Sequence, residues 1–123
     1  MVVVIFRSRL RDEHLEAYRS VAPHILELAR GMPGFVSFDA FTSDDGEGLS
    51  VIHFETLEHV RAWREHPEHR AAQKQGREQF YSEYTLQICE ELRASKFNLE
   101  AGDARVPVDP VVGDDRRTSD SGA

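Results

Sequence analysis

"FVSFDAFTSDDGEGLSVIHFET", residues 35–56, holds two runs rich in β-branched and aromatic residues around an Asp-Gly pair and a second glycine. That combination is a strong signal for two antiparallel strands joined by a tight turn. Upstream, "VVVIFRSRL" is short, β-branched and ends in charge, which predicts a buried first strand. Between them Leu15, Tyr18, Ala22, Ile25, Leu28 with Ala29, and Met32 recur at three- and four-residue spacing, one apolar stripe of a helix that Asp12 should open. Pro23 should kink or split that helix. "GMPG", residues 31–34, should end it, with Gly31 and Gly34 free to take positive φ. Downstream a second helical region runs from Leu57 through "LEHVRAWREHP", with His66 as a cap and Pro67 as the first residue of a continuing or re-angled helix. The last strand is "YSEYTLQICEEL".

The order is therefore β-α-β-β-α-β, an α+β chain of the ferredoxin-like type. Two helices cover one face of a four-stranded sheet, yet the strands are apolar in both parities: Val2, Val4 and Phe6 against Val3 and Ile5; Phe35 and Phe41 against Val36 and Phe38; Leu49 and Val51 against Ile52 and Phe54. The uncovered face predicts a homodimer whose sheets pack on each other as a dimeric α+β barrel.

The 123 residues suit one domain, placed at residues 1–98, with a flexible tail at 99–123 that is rich in Pro, Gly, Ser and charge. The net charge of −7 argues against nucleic acid and anionic membrane as partners. A single cysteine, Cys89, excludes an internal disulfide and a cysteine-built zinc site, and suits the cytoplasm. No apolar run approaches the roughly 18 to 20 residues of a membrane span. Phosphate loops, dinucleotide fingerprints, serine-triad orders and zincin motifs are missing from the sequence.

Six histidines carry most of the candidate chemistry. His14, His24 and His59 lie among Glu and Arg and read as solvated surface. His66 and His69 are three apart, but Pro67 interrupts the face they would share and a metal would need a third ligand, so no metal site is assigned. His53 shares the parity of Leu49 and Val51 on an apolar face, either as a satisfied neutral imidazole or as a base in a dry pocket. Trp63 is core by default. Tyr81 and Tyr84 bracket the start of the last strand, and Arg7 and Arg9 share the strand-one face opposite Ser8.

"VVVIFRSRL", "MPGFVSFDAF" and above all "AWREHPEHRAAQKQGREQFYSEYTLQICE" resemble the antibiotic biosynthesis monooxygenase family over about residues 1–97. The resemblance implies a dimeric α+β barrel with a cleft between helices and sheet in each protomer. It also implies oxidation of an aromatic, polycyclic or quinol-like small molecule by O2 without a cofactor. Trp63 would then line the cleft. On that reading Phe6 would pack on the substrate, Ser8 and Gln73 would hydrogen-bond it, one of Tyr81 and Tyr84 would pack on it and the other hydrogen-bond it, and His53 or His69 would act as base. A competing class is a non-catalytic small-molecule-binding or stress-associated dimer. A third is heme binding or degradation. Members of that branch place an asparagine where Ser8 stands and the iron-ligating histidine ten residues beyond the tryptophan, where this chain has Gln73, a poor ligand.

Overall fold

The computed structural model describes residues 1–100. Its elements are β1 (Val2–Leu10), α1 (Leu15–Arg30), β2 (Phe35–Thr42), β3 (Gly48–Phe54), α2 (Leu57–Glu65), α3 (Pro67–Gln75), a π-helical turn (Gly76–Phe80) and β4 (Tyr81–Glu90). Met1–Glu90 forms one compact unit. Residues 91–100 form neither helix nor strand. Except for Leu99 and Glu100, the tail expected at 99–123 lies outside the described residues.

The four strands form one sheet in the order β2-β3-β1-β4. β1 is antiparallel to both β3 and β4, and β2 is antiparallel to β3, so β1 and β2 run parallel on either side of β3. This is the split βαβ topology of the ferredoxin-like fold. The turn after β2 is tied by its own residues: the Ser43 N–H donates to the Glu47 carbonyl at 2.9 Å, and Gly46 takes φ 90°. Asp45 fixes it to the sheet through Arg9 at 2.8 Å. Hydrogen bonds from Ser43 and Arg9 come first among the contacts that hold the exposed Asp45 carboxyl down at about 2.

All helices pack on one face. Val2, Val4, Ile52 and Phe54 of the sheet meet Ala29 of α1 and Val60 and Trp63 of α2, and Ile25, Leu28, Met32, Phe35, Phe38 and Leu86 close around them. The stripe read from α1 is the side turned to the core, with Ala29 buried and Ile25, Leu28 and Met32 packed around it. On the opposite face Val3, Ile5, Leu49 and Val51 are only half-covered and Phe41 is 58% exposed.

Several expectations need correction. The register between β2 and β3 shifts between Phe35 and Ser37, so Phe35 joins Phe38 on the helix side and Phe41 falls on the other. A β-bulge of this kind breaks the simple alternation that placed Phe35 with Phe41. α1 starts at Leu15, not at Asp12. His14 precedes it in the left-handed conformation (φ 61°) with no side-chain cap bond. Pro23 does not split α1, which continues unbroken to Arg30. The ring lies on the exposed side while apolar residues before and after it remain anchored. Gly31 ends the helix in an ordinary right-handed conformation (φ −87°), and only Gly34 uses the positive region (φ 81°). A side chain at Gly34 would also strike the His59 ring, 2.2 Å from where its Cβ would stand.

The start of α2 is capped by Thr56, whose Oγ1 accepts the His59 N–H at 3.2 Å, a bond of the kind worth about 1 kcal/mol. His66 caps α3 as the sequence suggests, its Nδ1 accepting the Glu68 N–H at 3.1 Å, with Pro67 at the first helical position. The π-helical turn was not anticipated. It is held by Arg11, whose guanidinium donates to the carbonyls of Arg77 (2.7 Å), Glu78 (2.9 Å) and Tyr81 (2.9 Å). Those carbonyls lack regular helical partners, so one side chain supplies what the backbone ladder cannot.

Candidate functional site: the helix–sheet cleft

A cleft of about 280 Å³ opens between the helices and the helix-side face of the sheet. Its floor comes from alternate residues of β1, with Val4, Phe6 and Ser8 all facing the same side. Its roof is Tyr18, Ala22 and Ile25 of α1, Trp63 and Arg64 of α2, and His69 and Gln73 of α3. Tyr81 and Tyr84 close one side, with Phe6 set between them at ring distances of 5.4 Å and 5.3 Å. The volume sits at the small end of the ~300–1,000 Å³ typical of ligand pockets, which suits a compact ring system.

Gly76 makes part of this wall possible. A Cβ there would stand 2.7 Å from Cε2 of Tyr81, so only glycine lets that ring lie against the π-helical turn. Burial, then the neighbouring Tyr18 phenol, push the Tyr81 hydroxyl well above its usual range. It stays protonated and able to donate.

The centre of chemical interest is a stack of three side chains on α2 and α3. The Trp63 ring lies 4.4 Å from that of His69. Nδ1 of His69 is 2.9 Å from Nε2 of Gln73, one helical turn on. The amide N–H donates and the imidazole nitrogen accepts, so the other ring nitrogen carries the proton, which the nearby Arg64 backbone favours. Burial is the largest cause that lowers His69 to about 4, and the Arg64 and His66 charges act in the same direction. The imidazole is therefore neutral at physiological pH. Trp63 is 4% exposed, and its Nε1–H is buried without a partner. A buried donor left unpaired costs about 1–3 kcal/mol.

Of the residues singled out in the sequence, the structure brings Phe6, Ser8, Trp63, His69, Gln73 and Tyr81 together around this one cleft. It separates His53 from them. His53 pairs with Val3 in register, between the helix-side Ile52 and Phe54, so it lies on the opposite face of the sheet, where its Nδ1 is 3.2 Å from Ser37 Oγ. A base in this cleft cannot be His53. His24 is engaged with Glu68, and His59 with Thr56 at 2.8 Å. No group of three His, Cys, Asp or Glu side chains among the described residues is arranged to hold a metal ion. The residues also do not fit a heme ligated as in the heme-degrading branch. Gln73 occupies the ligand position, and Nδ1 of the nearest imidazole, His69, is already engaged by Gln73.

Sequence reasoning missed Arg64 and Arg77 as cleft residues. Arg64 follows Trp63 in what looks like an exposed helix face, and Arg77 is brought in by the π-helical turn, whose support from Arg11 is a tertiary contact.

Residues 1–75 match the model of the antibiotic biosynthesis monooxygenase family. The chain belongs to that family. Among family-sized relatives, the uncharacterised protein YqjZ of Bacillus subtilis is 30% identical over 100 residues, covering 81% of this chain and 87% of YqjZ. The structure of Rv0793 from Mycobacterium tuberculosis superposes with a TM-score of 0.69 at 21% identity, over 77% of this chain and 98% of that one. SnoaB, a cofactor-independent oxygenase from Streptomyces nogalater, superposes with a TM-score of 0.65 at 14% identity, over 76% and 94%. At those identities the two structures speak for the fold alone. Among the described residues no helix is long and apolar enough to cross a membrane.

Proposed function

We propose that this member of the antibiotic biosynthesis monooxygenase family is a cofactor-independent monooxygenase. Its substrate would be a compact aromatic or quinol-like molecule bound in the helix–sheet cleft of a cytoplasmic homodimer. The observation that carries the reading is the neutral His69 imidazole stacked on the Trp63 ring, in a cavity walled largely by aromatic and apolar side chains and holding no carboxylate. SnoaB, described as a cofactor-independent oxygenase, shares the fold and supports the same class.

The chemistry asks three things of the chain. A base removes a proton from a phenolic or enolic substrate, a donor stabilises the anion, and the cavity excludes water. The electron-rich anion then reduces O2, a carbon–oxygen bond forms, and loss of water from the hydroperoxide converts a CH2 group to a carbonyl. One O2 is consumed per carbonyl and one water released, so the substrate itself supplies the electrons. Among the residues lining the cleft there is no carboxylate and His69 is the one imidazole, so the role of base falls to it. Substrate binding must displace the Gln73 amide from Nδ1, and an anion formed beside the ring raises its proton affinity. The Tyr81 hydroxyl is the donor for the developing oxyanion, with Ser8 and Gln73 orienting the rest of the molecule and the Trp63 ring packing against it.

A second reading keeps the cleft and drops the reaction. It is favoured by the Gln73 hydrogen bond that occupies Nδ1 of His69, which suits a fixed wall of a non-catalytic binding protein. Oxygen consumption with a panel of anthrones and quinols separates the two. The expected result is uptake matched one to one by product, reduced by Trp63→Phe, brought to background by His69→Ala and untouched by His53→Ala. Saturable binding of the same compounds with no uptake would establish the second reading instead.

The homodimer rests on the half-covered outer face, where Val3, Ile5, Leu49 and Val51 surround His53 and Phe41 is exposed. Sheet-to-sheet packing of two copies would bury this surface. Sedimentation equilibrium at micromolar protein should return twice the chain mass. A mass of one chain would rule the assembly out.

A further inference from the structure

The cleft is charged opposite to the rest of the protein. The chain carries 22 acidic and 15 basic residues, yet the cleft lining includes Arg64 and Arg77 and not one carboxylate. Among the described residues neither arginine is in an ion pair. Arg64 is also shared with an adjoining groove, lined by Arg61, Arg70 and a single acid, Glu65, and Gln73 borders both spaces. Arg61 is partly answered by Glu58 at 3.5 Å; Arg70 has no such partner. At physiological salt, charges farther than about 8 Å are largely screened, so a ligand in the cleft is governed by these guanidiniums and not by the acidic surface.

We infer that the ligand is an anionic aromatic, a compact ring system bearing a carboxylate, whose ring lies against Phe6 and Trp63 and whose charge is met by Arg64, with Arg77 second. The inference deepens the proposed monooxygenase reading and rests on its placement of the ligand in this cleft. The geometry accounts for the guanidinium at that point. Arg64 directly follows the tryptophan that forms the apolar roof, so one helix supplies both the flat surface for the ring and the fork for the carboxylate. The lowered proton affinity of His69 agrees, since the Arg64 charge is one of its causes and is felt inside the cavity. With His69 neutral, a carboxylate finds no competing cation there.

A matched pair of fluorescent probes tests this on the full chain: anthracene-2-carboxylate against the isosteric anthracene-2-carboxamide. The carboxylate should bind roughly tenfold tighter or more, the ratio expected of one charge-assisted contact at a partly exposed site. Raising the salt to about 0.5 M should compress that ratio, as screening demands. Arg64→Gln should bring it close to one, Arg64→Lys should retain part of it, and Arg77→Gln should reduce it less. Carboxamide affinity reports whether each variant still has an intact cleft; if Arg64→Gln loses it, the salt dependence of the unaltered protein decides. Equal affinity for the two probes overturns the inference and leaves the aromatic cleft standing. A preference that survives Arg64→Gln overturns the assignment to Arg64. If neither probe binds, the cleft reading itself fails.

Discussion

Replacing Phe54 with alanine should cost about 3–5 kcal/mol of stability, the largest loss available from one substitution in this fold. Phe54 is fully buried on β3, an interior strand of the sheet. It holds Phe35 edge-on at 5.8 Å on one side and stacks against Trp63 at 5.3 Å on the other. It therefore links β2, β3 and α2 through a single ring, and alanine would leave a cavity that three elements cannot collapse into together. A small domain has only about 5–15 kcal/mol to lose. Urea unfolding at a fixed protein concentration, which matters for a dimer, should show the midpoint falling by a large fraction with little change in slope. A loss under about 1.5 kcal/mol would mean that the Phe35–Phe54–Trp63 stack does not organise the core. The same stack supports the Trp63 ring beneath the cleft, so a folded remnant of the variant should also bind aromatic probes more weakly.

The parts of this architecture that were legible beforehand are those with a local cause. Asp-Gly at 45–46 makes a turn wherever it stands between strands, His66 caps its helix with an atom two residues away, and the stripe of α1 follows from helical period alone. What stayed hidden depends on distant partners. Both faces of the sheet are apolar, so nothing in the β2 sequence marks the bulge that moves Phe35 to the helix side. The π-helical turn exists because Arg11, from the far end of β1, reaches its carbonyls. Arg64 and Arg77 look like solvated helix charges until the cleft is assembled around them.

The histidines make the same point about the site. His53 and His69 were equal candidates for a base, since one sat on an apolar strand face and the other on a family-typical helix. Strand alternation places His53 beside Val3 on the outer face, and the register of α3 against α2 brings His69 over the Trp63 ring. Which side of a sheet faces the helices is decided by packing, not by either strand alone. The aromatic, hydrogen-bonding and titratable parts of the cleft thus come from opposite ends of the chain, β1 with α2 and α3, and no short motif contains them.

The neutral imidazole at that centre has a thermodynamic consequence. His69 is held at about 4 in the folded protein, against an ordinary value of 6.5 once the chain unfolds. Below 6.5 the unfolded chain binds a proton that the folded protein refuses until about 4, so ν is greater in the unfolded state and stability falls as pH falls. The contribution is complete above pH 6.5, declines through the window from 6.5 to 4, and is flat below it. A shift of that size corresponds to about 3 kcal/mol at the acid limit. Asp45 acts in a separate and lower window, from its usual 3.8 down to about 2, and it does so at a fully exposed position. The His69 contribution is isolated by His69→Gln, which keeps a neutral hydrogen-bonding side chain at the site and removes the titration. Unfolding free energies measured between pH 7.5 and 4 should fall more steeply for the unaltered protein than for the variant, with the difference confined to the window below 6.5. Parallel curves would mean that the imidazole is solvated and protonates normally, and with it would go both its neutrality in the cleft and its candidacy as the base.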